Sequence, residues 1–178
     1  MASSHMSTVM SLTSDVKSGS IKACDKAVDE LISLLNPRNR TVNLGDLGDK
    51  SYHQIFEALF NVVIRDRPAL YDKSKKESAR KLAAARLTKC ASAIRMTAAR
   101  GAPRLGRKTL LALIDHITQI LPDPDGDFVA PLIQDYVKAL SEVLSRQPHV
   151  EFLARQDAKP WEACVDFLLD IAALHYPQ

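Results

Sequence analysis

Residues 100–109, Arg-Gly-Ala-Pro-Arg-Leu-Gly-Arg-Lys-Thr, come closer to a chemical motif than any other stretch of the chain. A phosphate-binding loop has Gly, four residues, Gly, and then Lys with Ser or Thr. Gly101 and Gly106 keep that spacing, but Arg107 is inserted before Lys108 and Thr109. The insertion turns Lys108 by about 100° around a following helix. Such a loop also needs a strand before it, so that backbone N–H groups converge on the phosphates. The preceding LTKCASAIRMTAAR has helical patterning instead. The stretch therefore reads as a turn between two helices. Gly101 is expected to be the left-handed residue ending the first, and Pro103 to help start the second.

The charge of this corner is a separate feature. From Lys73 to Lys108 there are twelve Lys or Arg against Glu77 alone, so the segment carries +11 and, with +3 overall, the remainder carries −8. Arg95, Arg100, Arg104, Arg107 and Lys108 cluster around the turn. They form either a solvated, charged end or a docking patch for the DNA backbone or an acidic peptide, since phosphate contacts need only positive charge within reach. Aromatic residues are absent from 73–108, which disfavours stacking on single strands. The helices lack the Asn, Gln and Arg pattern of base readers.

Other chemistry finds less support. His53, His116, His149 and His175 have no carboxylate, Cys or second His at metal-ligand spacing. His116 is expected on a helix surface. Asp-Pro-Asp-Gly-Asp (123–127) imitates part of a calcium loop, but position twelve from Asp123 is Gln134 rather than Glu. Cys24, Cys90 and Cys164 are odd in number and far apart, which fits neither a disulfide framework nor zinc and points to a reducing compartment. No nucleophile elbow, HRD or DFG element occurs, so no catalytic residues, metal or cofactor are expected in this chain.

These residues must be held by helices. The chain has 178 residues, 46% of them hydrophobic, enough for one domain with a sizeable core. The opening MASSHM reads as a cloning scar, leaving 7–178 as a single domain. No apolar run approaches a membrane span, and no basic-then-apolar secretory signal is present. A first helix is expected within 14–35, capped by Ser14 or Ser20, with Ile21, Cys24, Val28, Leu31 and Leu35 on its apolar face. Residues 38–50 read as a polar loop. A second helix spans 51–65, capped by Ser51, and Pro68 breaks it; Phe56 and Phe60 should receive Leu31 and Leu35. A third runs over 74–99 with a stripe of Leu82, Ala85, Cys90, Ala93, Ile94 and Thr97. A fourth ends near Leu121, Pro-Asp-Pro-Asp-Gly-Asp (122–127) forms a turn, and a fifth spans 128–145. Pro148 opens a short turn, and Pro160 starts a sixth helix over 161–175. With no period-two runs, the expected fold is all-α: about six helices in stacked antiparallel pairs, a HEAT-like α-solenoid fragment.

The ordered set of segments resembles the N-terminal region of the ataxia-telangiectasia-mutated family of checkpoint kinases, in the fungal telomere-length-maintenance form. LTKCASAIRMTAARGAPRLGRKTLLALIDHI (87–117) is similar to a family helix, Arg-Ala-Pro-Arg-Leu, and an apolar helix, with Gly101 intervening after Arg100. GDLGDKSYHQIFEALFNVVIRDR (45–67) and WEACVDFLLDI (161–171) resemble two further helices of the family. SIKACDKAVDELISLL (20–35) is similar to its telomere-maintenance motif. Ile21, Lys22, Asp25, Val28, Leu31 and Leu35 are the motif-like positions, while Ala23 and Cys24 depart from the acid and Arg of the motif core. The resemblance implies a non-catalytic docking or scaffold segment of a large nuclear serine/threonine kinase. Its ATP and Mg would bind a kinase domain outside this chain. The implied partners are the sensor nuclease complex of double-strand breaks and the remainder of the solenoid. The alternative is an independent helical module that binds nucleic acid through 95–108.

Overall fold

The computed structural model describes residues 2–45, 47–119, 130–155 and 159–175. Among them every regular element is helical. The α-helices are α1 (Ala2–Ser18), α2 (Ile21–Leu35), α3 (Asp49–Asp66), α4 (Pro68–Tyr71), α5 (Glu77–Gly101), α6 (Arg107–Thr118), α7 (Ala130–Leu144), α8 (Gln147–Arg155) and α9 (Lys159–His175), with a 3-10 turn at Ala102–Arg104 between α5 and α6. The class is the expected all-α, solenoid-like stack of paired helices. The turn expected at 122–127 and the start of the fifth helix lie outside the described residues.

Several boundaries differ from expectation, each for a local reason. The helix expected within 14–35 is two helices parted at Gly19. Ser20 caps α2, its hydroxyl accepting from Ala23 N at 3.3 Å. α1 begins within the opening residues set aside above and buries Val9, Leu12 and Val16. α3 starts at Asp49 after Gly48, so Ser51 lies inside it and caps nothing. Pro68 does not stop the chain but occupies the first turn of α4, where its missing N–H costs nothing. Pro148 does the same in α8, a helix where a turn was expected. The loop after α2 is not merely polar: Val42, Leu44 and Leu47 are buried.

α5 is the spine. It packs on α2, α3, α4 and α7. Its buried side chains are mostly small, including Ala83, Ala84, Ala91, Ala93 and Ala98 beside Leu87 and Ile94, which lets neighbouring helices approach closely while alanine sustains the helix. Leu82 and Ala85, placed on the stripe by spacing, face outward instead. α2 lies parallel to α5 and pairs with α1. Leu31 and Leu35 are buried as expected, but α1 and α5 are the main neighbours of α2, not α3. Phe60 stacks instead on Phe56, with ring centres 5.6 Å apart, and on His116 at 4.0 Å.

Candidate functional site: the charge seam and the arginine corner

Much of the basic charge on α5 is engaged by neighbouring helices. Arg86 is the hub: its Nε donates to Asp25 Oδ1 at 2.5 Å and its Nη1 to Asp66 Oδ2 at 3.2 Å. Arg65 also binds Asp66, at 2.7 Å. Burial pushes the Asp66 carboxyl up, but the hydrogen bonds from Arg65 and Arg86 outweigh it and hold the group below the usual carboxylate range. One turn along, Lys89 pairs with Asp29 at 2.9 Å. Arg95 donates to Asp135 on α7 at 3.1 Å. The acids of α2, α3 and α7 thus neutralise one edge of α5 after another.

Arg100 closes this seam at the C-terminal end of α2. Its guanidinium donates to the carbonyls of Leu35 (3.3 Å), Val42 (3.3 Å), Asn36 (2.9 Å) and Asn39 (2.9 Å). The last carbonyls of a helix lack intrahelical donors and carry its negative dipole end. A planar fork with five donors suits them. Among the described residues Arg104 makes a single bond, to Leu47 O at 3.3 Å.

The near-match to a phosphate loop is filled by the protein itself. Gly106 caps α6, and its N–H donates to Asp49 Oδ1 at 2.6 Å, so a carboxylate occupies the place of an anion at that helix start. A Cβ on Gly106 would lie 2.7 Å from Asp49 Oδ2, so a side chain there would displace the carboxylate. Gly101 is not left-handed: its φ is −86° and ψ −19°. Its requirement is space, because a Cβ would stand 2.8 Å from the Tyr52 ring. His149 ties α8 to the same corner, donating from Nε2 to Ala102 O at 2.5 Å.

The five corner cations therefore divide. Arg95 and Arg100 are half-buried and engaged with the fold, while Arg104, Arg107 and Lys108 are exposed. Arg107 lies over the Phe152 ring at 5.1 Å. The motif-like helix divides as well. Val28, Leu31 and Leu35 are core, Asp25 belongs to the Arg86 hub, and Ile21 and Lys22 are exposed.

His116, expected on a surface, is buried and was missed as a core polar group. Its Nε2 meets Tyr136 OH at 2.7 Å. Burial and the nearby Arg67 charge lower its pKa to about 4, so it is neutral at pH 7. It borders a cleft of about 480 Å³ with Val63, Ile64, Pro68 and Tyr71. The cysteines are buried, and burial raises each thiol above its ordinary value, so none is an activated nucleophile. Among the described residues no group of His, Cys, Asp and Glu could hold a metal ion.

The described residues thus form an all-α, solenoid-like stack whose basic spine is largely paired within the fold. The chain belongs to the TAN family, described as telomere-length maintenance and DNA damage repair, whose model matches residues 9–162. It is 59% identical over 170 residues to the serine/threonine-protein kinase TEL1 of Gibberella zeae, covering 95% of this chain and 6% of that protein. It is 40% identical over 125 residues to the serine/threonine-protein kinase tel1 of Neurospora crassa, covering 68% of this chain and 4% of that one. The chain thus spans a small N-terminal part of the relatives it matches. No solved structure matches it.

Proposed function

We propose that this chain is a non-catalytic docking and scaffold segment of a large nuclear serine/threonine kinase of telomere maintenance and DNA-damage signalling. The carrying observation is the 59% identity across 95% of the chain to a protein named as such a kinase, of which it covers 6%. ATP and Mg would serve a kinase domain elsewhere in that polypeptide. The partners are the sensor complex that recruits the kinase to double-strand breaks and the following part of the solenoid. The exposed stripe of Trp161, Val165, Leu168 and Leu169 on α9 supports the second. These residues recur at helical spacing on a face that α6 and α8 do not cover.

The alternative reading, a module that holds DNA through residues 95–108, would draw on Arg104, Arg107 and Lys108, because Arg95 and Arg100 are engaged elsewhere. Weak, salt-sensitive contact with the duplex backbone is what three outward cations support.

The test is Leu31→Asp in the full-length kinase, which buries a charge in the α2 core and disrupts this segment alone. Phosphorylation of a substrate peptide by the purified kinase should persist, while its accumulation at induced breaks and telomere length should fall. Loss of peptide phosphorylation with normal recruitment would overturn the proposal.

A further inference from the structure

The opposite end of the α2–α5 pair has a different composition. The two helices run parallel, with rungs at Asp25–Arg86, Asp29–Lys89 and the Asn36 carbonyl–Arg100. Ile21 and Leu82 each lie four residues before the first rung, on the same helix faces as Asp25 and Arg86. They are therefore neighbours at the start of the seam, about one turn (5.4 Å) beyond it. Both are aliphatic and open to solvent, Ile21 at 60% and Leu82 at 69% exposure.

Lysines flank this pair along the chain. Lys22 follows Ile21, and Lys73, Lys75 and Lys76 lead into α5, all exposed. Among the described residues none of the four has a carboxylate within ion-pair distance. Of the acids beside α5 in the chain, Glu77 pairs with Lys81, and Asp72 accepts from Ser74 and feels the charge of Lys75.

Lys22 and Lys76 sit where a helix start does not favour them. Lys76 is the N-cap of α5 and makes no side-chain capping bond. The first turn of α2 holds Lys22 and no acid. Helix starts favour acids and short polar caps, and repel cations. Locally unfavourable residues that serve no contact mark places where function competes with folding.

We propose that this corner, Ile21 and Leu82 flanked along the chain by Lys22, Lys73, Lys75 and Lys76, docks an acidic peptide segment that carries an aliphatic or aromatic side chain between its carboxylates. The inference rests on the docking reading above and names the chemistry of a partner. An apolar centre with a charged rim is the anatomy of a protein interface. A phosphodiester backbone needs only the cations and makes no use of two aliphatic side chains.

The test uses the 178-residue chain and three fluorescent probes: a short peptide alternating Glu and Leu, its counterpart alternating Glu and Ser, and duplex DNA. Anisotropy should show saturable, salt-sensitive binding of the Glu–Leu peptide and about tenfold weaker binding of the Glu–Ser peptide. The double variant Lys75→Glu, Lys76→Glu should abolish it. Leu82→Ser should weaken the Glu–Leu peptide about tenfold and leave the Glu–Ser peptide unchanged. All these side chains are exposed, so circular dichroism and melting should show intact folds. Equal affinity for both peptides, a silent Leu82→Ser, no peptide binding, or DNA binding that the charge reversal removes and Leu82→Ser spares would each overturn the proposal. If peptide binding fails while Leu31→Asp still delocalises the full-length kinase, this inference falls and the docking function stands.

Discussion

The two ends of the α2–α5 pair carry the same sign of charge and use it oppositely. At the C-terminal end Arg100 meets four backbone carbonyls, two of them at the negative end of α2. At the N-terminal end Lys22 and Lys76 sit where the helix dipole is positive, and among the described residues no side-chain acceptor is in ion-pair reach of them. A cation at a helix C-terminus is stabilised, and one at an N-terminus is destabilised by a similar amount. Charge counting along the sequence cannot separate these cases. The distinction lies in which end of which helix each cation reaches, and it makes one corner a structural clamp and the other a surface held ready for a partner.

The largest expected effect breaks the clamp. Arg100→Ala should lower unfolding free energy by about 3 kcal/mol, since charge-assisted hydrogen bonds contribute about 1.5–3 kcal/mol and a stranded buried carbonyl costs about 1–3 kcal/mol. Arg100→Lys should recover less than half, because an ammonium cannot span acceptors spread from Leu35 to Val42. Urea unfolding midpoints read both. If Arg100→Ala costs no more than Lys76→Ala, the two ends do not differ and the comparison fails.

Acid sensitivity should arise between the two corners, at His116, whose pKa burial lowers. Its unfolded pKa is about 6.5 and its folded value about 4. Between these values the unfolded chain binds more protons, so stability rises with pH and is lost as pH falls through the window. From pH 7 to pH 5, above the carboxylate range, the loss should be about 2 kcal/mol. In His116→Phe the loss over the same interval should nearly vanish, whatever the absolute stability of the variant. A His116→Phe slope equal to that of the parent chain would place the sensitivity elsewhere, in one of the corners or in His53 or His149.

How much of this was legible depended on whether the signal was local. Helical periodicity placed Cys24, Val28, Leu31 and Leu35 in the core, where they are buried. Proline was over-read at Pro68 and Pro148, since a first-turn proline breaks nothing. Val42, Leu44 and Leu47 have no period to betray them because they sit in a loop folded onto the bundle. The seam had no local signature at all: Asp25 and Arg86 are 61 residues apart. The resemblance supplied the family, yet nothing local singled out Arg100 among the five corner cations as the one that meets four carbonyls. For Gly101 the residue type was informative but the reason was not, because the need is clearance from Tyr52.

The smallest effect should have the opposite sign from the first and is the sharper test of the contrast. If Lys76 is kept for a partner rather than for the fold, replacing it with a good cap should stabilise the chain. Its backbone is already extended, with φ −57° and ψ 143°, and its carbonyl accepts from Ala79 and Arg80. A carboxylate placed there can accept from the free N–H groups of the first turn. Lys76→Asp should therefore raise stability by about 1 kcal/mol, the usual worth of an N-cap. Lys76→Ala removes the charge without adding a cap and should gain only a few tenths of a kcal/mol. That smaller gain should fade in molar salt, where the screening length falls to about 3 Å. The Asp variant should keep most of its gain there, because its hydrogen bond is short-ranged. Both can be read from urea midpoints at low and high salt. Destabilisation by Lys76→Asp would mean that the lysine serves the fold after all, and the two ends of the seam would then be alike.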